Sequence, residues 1–173
     1  MYDNGEIDEK TIEYLIPDSP KPGRFNLLPK IHKANNRGRP IVSANGHPTE
    51  KTSGFVDFRL CQHVEALPSF IKDSTDYLQK MTALNPLPSN TTMVTIDVTS
   101  LYTNIPHSDG IEACKEMWES RSVKIPPTNC LVTIFMMVLN GDHYLQINGT
   151  AMGTKMAPSY AKTFMGKFEK QLF

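Results

Sequence analysis

Asp97 sits inside the apolar run VTIDVTSLYTNIP, residues 94–106. Aspartate disfavours strands, and a carboxylate among apolar neighbours needs a partner. It can cap the turn that begins at Ser100. Alternatively it is a hard-metal ligand, because Mg²⁺ prefers carboxylate oxygen and keeps water or phosphate in its remaining positions. The segment alone leaves both open. A second group is cationic. Residues 21–51 hold Lys21, Arg24, Lys30, Lys33, Arg37, Arg39 and Lys51 against Glu50 alone, with His32 and His47 nearby. An excess of six positive charges can bind polyanions even in a chain of zero net charge. Such a run is also, commonly, only a solvated face. Arg grips phosphate through its planar fork of donors and Lys as a point charge. Lys30 and Arg39 can therefore pinch a triphosphate or a nucleic-acid backbone, or simply be exposed. The third group lies in INGTAMGTKMAPSYAKTFMGKFE, residues 147–169, where Gly153 permits close backbone approach and Lys155 can reach a phosphate. The plainer alternative is a flexible loop before a well-started helix.

The elements that must position these groups follow from periodicity. Residues 6–16 read as a short helix stopped by Pro17, and residues 18–23 as a turn-rich connector. Phe25 to Leu28 and Arg39 to Ser43 read as the strands of a hairpin around the basic loop PKIHKANNRG. Thr49 suits a helix N-cap, followed at helical spacing by Phe55, Val56, Leu60, Val64 and Leu67. A second helix spans Ser74 to Leu84 with Leu78, Met81 and Leu84 on one face. TMVTIDV, residues 92–98, reads as a buried strand. Ser108 and Thr128 cap helices to about Glu119 and Leu139, and Tyr144 to Ile147 forms a short strand. Pro158 opens a helix from Ala157 to Phe173. The order predicts an α+β domain with helices on one face of an antiparallel sheet.

A chain of 173 residues with 39% hydrophobic content can form one domain with a real core. No apolar run approaches the roughly 20 residues of a membrane span, and the acidic N-terminus MYDNGEIDEK is not a signal peptide. The expectation is no membrane association. Cys61, Cys114 and Cys130 sit far apart with no CxxC pair, which predicts reduced thiols without a disulfide partner, in the nucleus or cytoplasm.

Taken in order, LPKIHK, RPIVS, PTE, LPSFIKDSTDYL, TIDVTSLYTNIP and GTAMGTKMAPSYA resemble the reverse transcriptases of Penelope-like retroelements, over roughly residues 24–173. The resemblance implies a partial right-hand polymerase fold: an N-terminal helix and connector (1–23), then mostly fingers (24–91) and partial palm (92–173) with an incomplete antiparallel palm sheet. It implies RNA-directed DNA synthesis with Mg²⁺ on an RNA template and DNA primer, from deoxynucleoside triphosphates. Asp97 would be the catalytic metal ligand, with the Val98 carbonyl as a second. Tyr102 would lie beneath the incoming sugar and block a 2′-hydroxyl, unless it is a core aromatic. Met152-Gly153-xxx-Ala157-Pro158 has the spacing of the family's Gln-Gly-xxx-Ser-Pro motif. Lys30, Arg39, Tyr102, Met152, Gly153 and Lys155 would bind nucleotide, and Lys33, Arg37 and Pro158 nucleic acid.

The sequence departs from the family in two places. The family carries an aspartate pair on a hairpin after the Pro158 helix, whereas this sequence has no adjacent Asp-Asp and only Glu169 after Asp142. One carboxylate is too few to hold two cations about 4 Å apart. The segment NGDH, residues 140–143, is also shorter than the family's hairpin. Both departures fit a chain cut off before its aspartate pair and inactive alone. A non-catalytic nucleic-acid-binding remnant is the alternative.

Overall fold

The computed structural model describes residues 6–31, 38–84, 86–141, 144–145 and 147–172. Helix α1 (Glu9–Leu15) starts where the Asp8 carboxylate accepts the Thr11 N–H at 2.8 Å. It stops at Ile16, whose extended backbone is the conformation a following proline imposes. Strands β1 (Arg24–Pro29) and β2 (Gly38–Ser43) then pair antiparallel, with Arg24 opposite Ser43 and Pro29 opposite Gly38. The expected hairpin forms, slightly longer than the β-rich letters suggest. It stands off the core, since every β1 residue is exposed, Phe25 by 65%.

The core is helical. α2 (Glu50–Val64), α5 (His107–Glu119), α6 (Thr128–Leu139) and α7 (Ala157–Leu172) enclose it. α7 lies against α2 and α5, and α6 packs on the same two helices. The stripe Phe55, Val56, Leu60 and Val64 turns inward as its spacing requires. Three aromatics join the remaining helices: Trp118 meets Phe135 edge-on at 6.1 Å, and Phe135 meets Tyr160 at 5.2 Å. Tyr160 fits because α5 has a glycine facing it. A Cβ on Gly110 would overlap the Tyr160 hydroxyl. The smaller elements are α3 (Ser74–Ala83), the single turn α4 (Leu101–Asn104), and β3 (Asn140–Gly141) paired with β4 (Tyr144–Leu145).

Several sequence expectations need correction. Residues 92–98 are irregular and exposed rather than a buried strand, with Ile96 88% accessible. The described strands pair only within their own hairpins, so this segment finds no partner, and β propensity without a partner does not make a strand. For the same reason the described helices pack on one another and not on a palm sheet. α3 buries no residue, and its Leu78 and Leu84 face solvent. Thr49 precedes α2 without capping it, because its hydroxyl bonds to His47 Nδ1 at 2.8 Å. Ser108 lies inside α5. Pro106, extended at φ −61° and ψ 134°, takes the cap position, and the Ser108 hydroxyl donates to Asp109. Thr128 is likewise already helical, with the Pro127 carbonyl accepting the Leu131 N–H. Ile147 falls outside β4 and is exposed.

The three cysteines are free, Cys114 and Cys130 buried and Cys61 half-buried, and burial pushes the Cys114 thiol well up. No helix among the described residues is long and apolar enough to cross a membrane.

The fit of Tyr160 against α5 gives a test whose sign is informative. On an exposed helix Gly→Ala is worth up to about 1 kcal/mol in favour of folding. Gly110→Ala should instead destabilise by about 1–3 kcal/mol, as overpacking does. Tyr160→Phe, which removes the nearest clashing atom, should recover part of that loss. Urea unfolding followed by the fluorescence of Trp118, the single tryptophan, reads both. A stabilised Gly110→Ala variant would mean that α5 and α7 do not meet here.

Candidate nucleic-acid interface

The loop of residues 147–156, between β4 and α7, brings the motif-bearing segments together through backbone hydrogen bonds. On one side Gly149 N–H donates to the Ile105 carbonyl and Thr150 N–H to the Tyr102 carbonyl, both at 2.7 Å. His107 Nε2 lies 2.8 Å from the Gly149 carbonyl oxygen and braces the same turn. On the other side the Met152 carbonyl accepts the Val42 N–H at 2.9 Å, which attaches the β1–β2 hairpin. The Met156 N–H donates to the Ser53 hydroxyl at 3.1 Å and fixes the loop's end against α2.

Two glycines allow these approaches. Gly149 has φ +70° and Gly153 φ +126°, backbone that side chains rarely adopt. A Cβ on Gly149 would overlap the Tyr102 carbonyl, and one on Gly153 the Val42 carbonyl. Gly153 therefore makes a close approach, as its position in the motif predicts. The neighbour it meets in this structure is the hairpin.

The nucleotide-binding candidates are only partly assembled. Met152 and Gly153 touch the hairpin, and Tyr102 is joined to the same loop through its carbonyl. The half-buried Tyr102 ring packs against the apolar core, as the core-aromatic reading requires. Arg39 is exposed on β2, and Lys30 is half-buried just past the end of β1. Lys33 and Arg37 lie outside the described residues. Pro158 is exposed in the first turn of α7.

Lys155 has a use that its sequence position did not announce. Its ammonium pairs with Glu50 at 3.2 Å, and the other Glu50 oxygen accepts the Gly46 N–H at 2.7 Å. The Gly46 bond and then Lys155 hold the Glu50 carboxyl below its ordinary range. Sequence reading missed Glu50, Ser53 and His107 as determinants of the site. The usable signal was an acid in the first turn of α2, beside the turn made by Gly46 and His47.

The metal candidates stand apart from this cluster. Asp97 and Val98 belong to the exposed irregular segment. Among the described residues no three His, Cys, Asp or Glu side chains converge as a metal site. With one exposed carboxylate, the described donors do not fit a pair of Mg²⁺ ions, and no metal-dependent step follows from them.

Gly153→Ala tests the attachment of the hairpin. Alanine at positive φ against a fixed carbonyl should cost more than about 1 kcal/mol. The Val42 amide should then exchange with solvent about tenfold faster or more. Unchanged exchange at Val42 and an unchanged melting temperature would show that the loop does not hold the hairpin.

No protein-family model, curated protein or solved structure matches this chain.

Proposed function

We propose that the chain is a nucleic-acid-binding part of a reverse transcriptase of the Penelope-like type, carrying the fingers hairpin and part of the palm. In this reading RNA template and DNA primer run past the hairpin, and deoxynucleoside triphosphates are the substrates of the family's reaction. The observation that carries it is the loop of residues 147–156. It connects the Tyr102 segment to the hairpin by backbone bonds, so three stretches that carry the family resemblance meet at one place. Phosphate binding falls to Lys30, Lys33, Arg37 and Arg39. Tyr102 has the sequence position of a sugar gate.

A second reading is a binding module without catalysis. It is favoured by the pairing of Lys155 with Glu50, which occupies the cation that would otherwise reach a triphosphate. The two readings share the binding surface and differ in chemistry. Asp97 alone would hold Mg²⁺ feebly, since that cation sheds water reluctantly and wants several anionic ligands. Nucleotidyl transfer needs one cation to activate the attacking oxygen and another to neutralise the triphosphate.

Two experiments test this. Fluorescence anisotropy with single-stranded RNA should give a log affinity that falls linearly with log salt. Replacing Lys30, Lys33, Arg37 and Arg39 with Ala should make that slope shallower by up to about 0.7 for each phosphate that is no longer neutralised. An unchanged slope removes the hairpin as the footprint. Primer extension on an RNA template by residues 1–173, in Mg²⁺ or Mn²⁺, should show no incorporation. Synthesis that disappears in Asp97→Asn would overturn the non-catalytic expectation and place further metal ligands within this chain.

A further inference from the structure

Away from the hairpin, three cationic side chains gather without a counter-ion. The Arg59 guanidinium lies over the rings of Phe55 and Phe58, 5.1 and 5.7 Å from their centroids. Its Nε is buried and has no hydrogen-bond partner. His63 follows one turn later on the same face of α2. Arg121 comes from the segment just after α5 and is fixed in place, donating through Nε to the Trp118 carbonyl at 2.8 Å and through a terminal nitrogen to the Pro126 carbonyl at 3.0 Å. Those two bonds leave several of its five N–H donors free.

Among the described residues none of the three forms an ion pair. Glu119, the acid whose charge acts on Arg121, is bound to Lys124 at 2.6 Å. The crowding has a measurable effect. Burial and then the Arg59 charge lower the Arg121 pKa, and burial and then the Arg121 charge lower that of His63. All three side chains are only half-buried, so a solute can reach them.

We propose that Arg59, His63 and Arg121 form a phosphate-binding site separate from the hairpin. A phosphate group offers acceptor oxygens in several directions, enough for two guanidinium forks and an imidazole together. Arg59 is nine residues beyond Glu50 on α2, which puts it roughly 14 Å farther along the helix axis. A single phosphate therefore cannot span this site and the Glu50–Lys155 pair. The site does not depend on the chain being a polymerase. The phosphate can come from a nucleic-acid backbone or from free phosphate in solution.

His63 provides the readout. Its imidazole resonances are followed by NMR across a pH titration, without additive, with inorganic phosphate, and with a short oligothymidylate. An anion among the cations reverses the effect of Arg121, so the His63 pKa should rise toward its ordinary value. Affinity should drop about tenfold or more in Arg59→Gln, which breaks no hydrogen bond, because a bond to a charged group is lost. Arg121→Lys, which keeps the charge and removes the fork, should weaken binding as well. A response to the oligonucleotide alone assigns the site to a nucleic-acid backbone, and a response to both shows that free phosphate suffices. Unmoved His63 resonances with either probe overturn the proposal, as does wild-type affinity in Arg59→Gln and Arg121→Lys.

Discussion

The position of α7 depends on the burial of Tyr160 against Gly110. The ring fills the space between α5 and α6, and its hydroxyl is enclosed with no hydrogen-bond partner. An enclosed hydroxyl of that kind costs about 1–3 kcal/mol, which the surrounding aromatic and aliphatic packing must offset. That packing also holds the site, because the loop of residues 147–156 runs straight into α7. Met156, at the junction, is fully buried and bonded to Ser53. The loop that receives the hairpin is thus located by the core and does not depend on its own sequence for rigidity.

What could be read from the sequence was mostly local. The hairpin was visible because turn residues separate two β-rich runs, and α2 because its apolar residues recur at helical spacing. Residues 92–98 show the limit of that approach. Thr-Met-Val-Thr-Ile-Asp-Val has the composition of a strand, but strand formation also needs a neighbouring backbone, which no letter within the segment encodes. α3 has the same weakness, because Leu78 and Leu84 are apolar at helical spacing yet turn toward solvent. Nothing near Gly110 announces that a tyrosine fifty residues later will lie against it. In the candidate site, the spacing of Met152, Gly153 and Pro158 was readable as a motif. The pairing of Lys155 with Glu50 was not, because it joins two helix starts that only the tertiary fold brings near.

Charge is divided by residue type. Among the described residues every ion pair uses lysine: Lys51, Lys80, Lys124, Lys155 and Lys167. The arginines Arg24, Arg39, Arg59 and Arg121 form none. The formal charge of zero therefore hides two populations, with lysine ammonium groups neutralised by nearby acids and guanidinium groups left without carboxylate partners. Exposed lysine pairs contribute little to stability. Their main effect here is to leave the field of the unpaired arginines less offset than the net charge implies.

The two attachments of the loop lie very close together along the chain. The peptide that accepts Val42 is only two residues beyond the one that donates to Tyr102, and two residues of backbone span at most about 7 Å. The hairpin and the Tyr102 turn are consequently connected in series, like two loads on a short tie-rod. A pull that displaces the hairpin is delivered to the Thr150 amide with almost no slack to absorb it. The short α4 helix bears that tension next, since its residues include Tyr102, and Ser100 just before it has a left-handed φ of 57°.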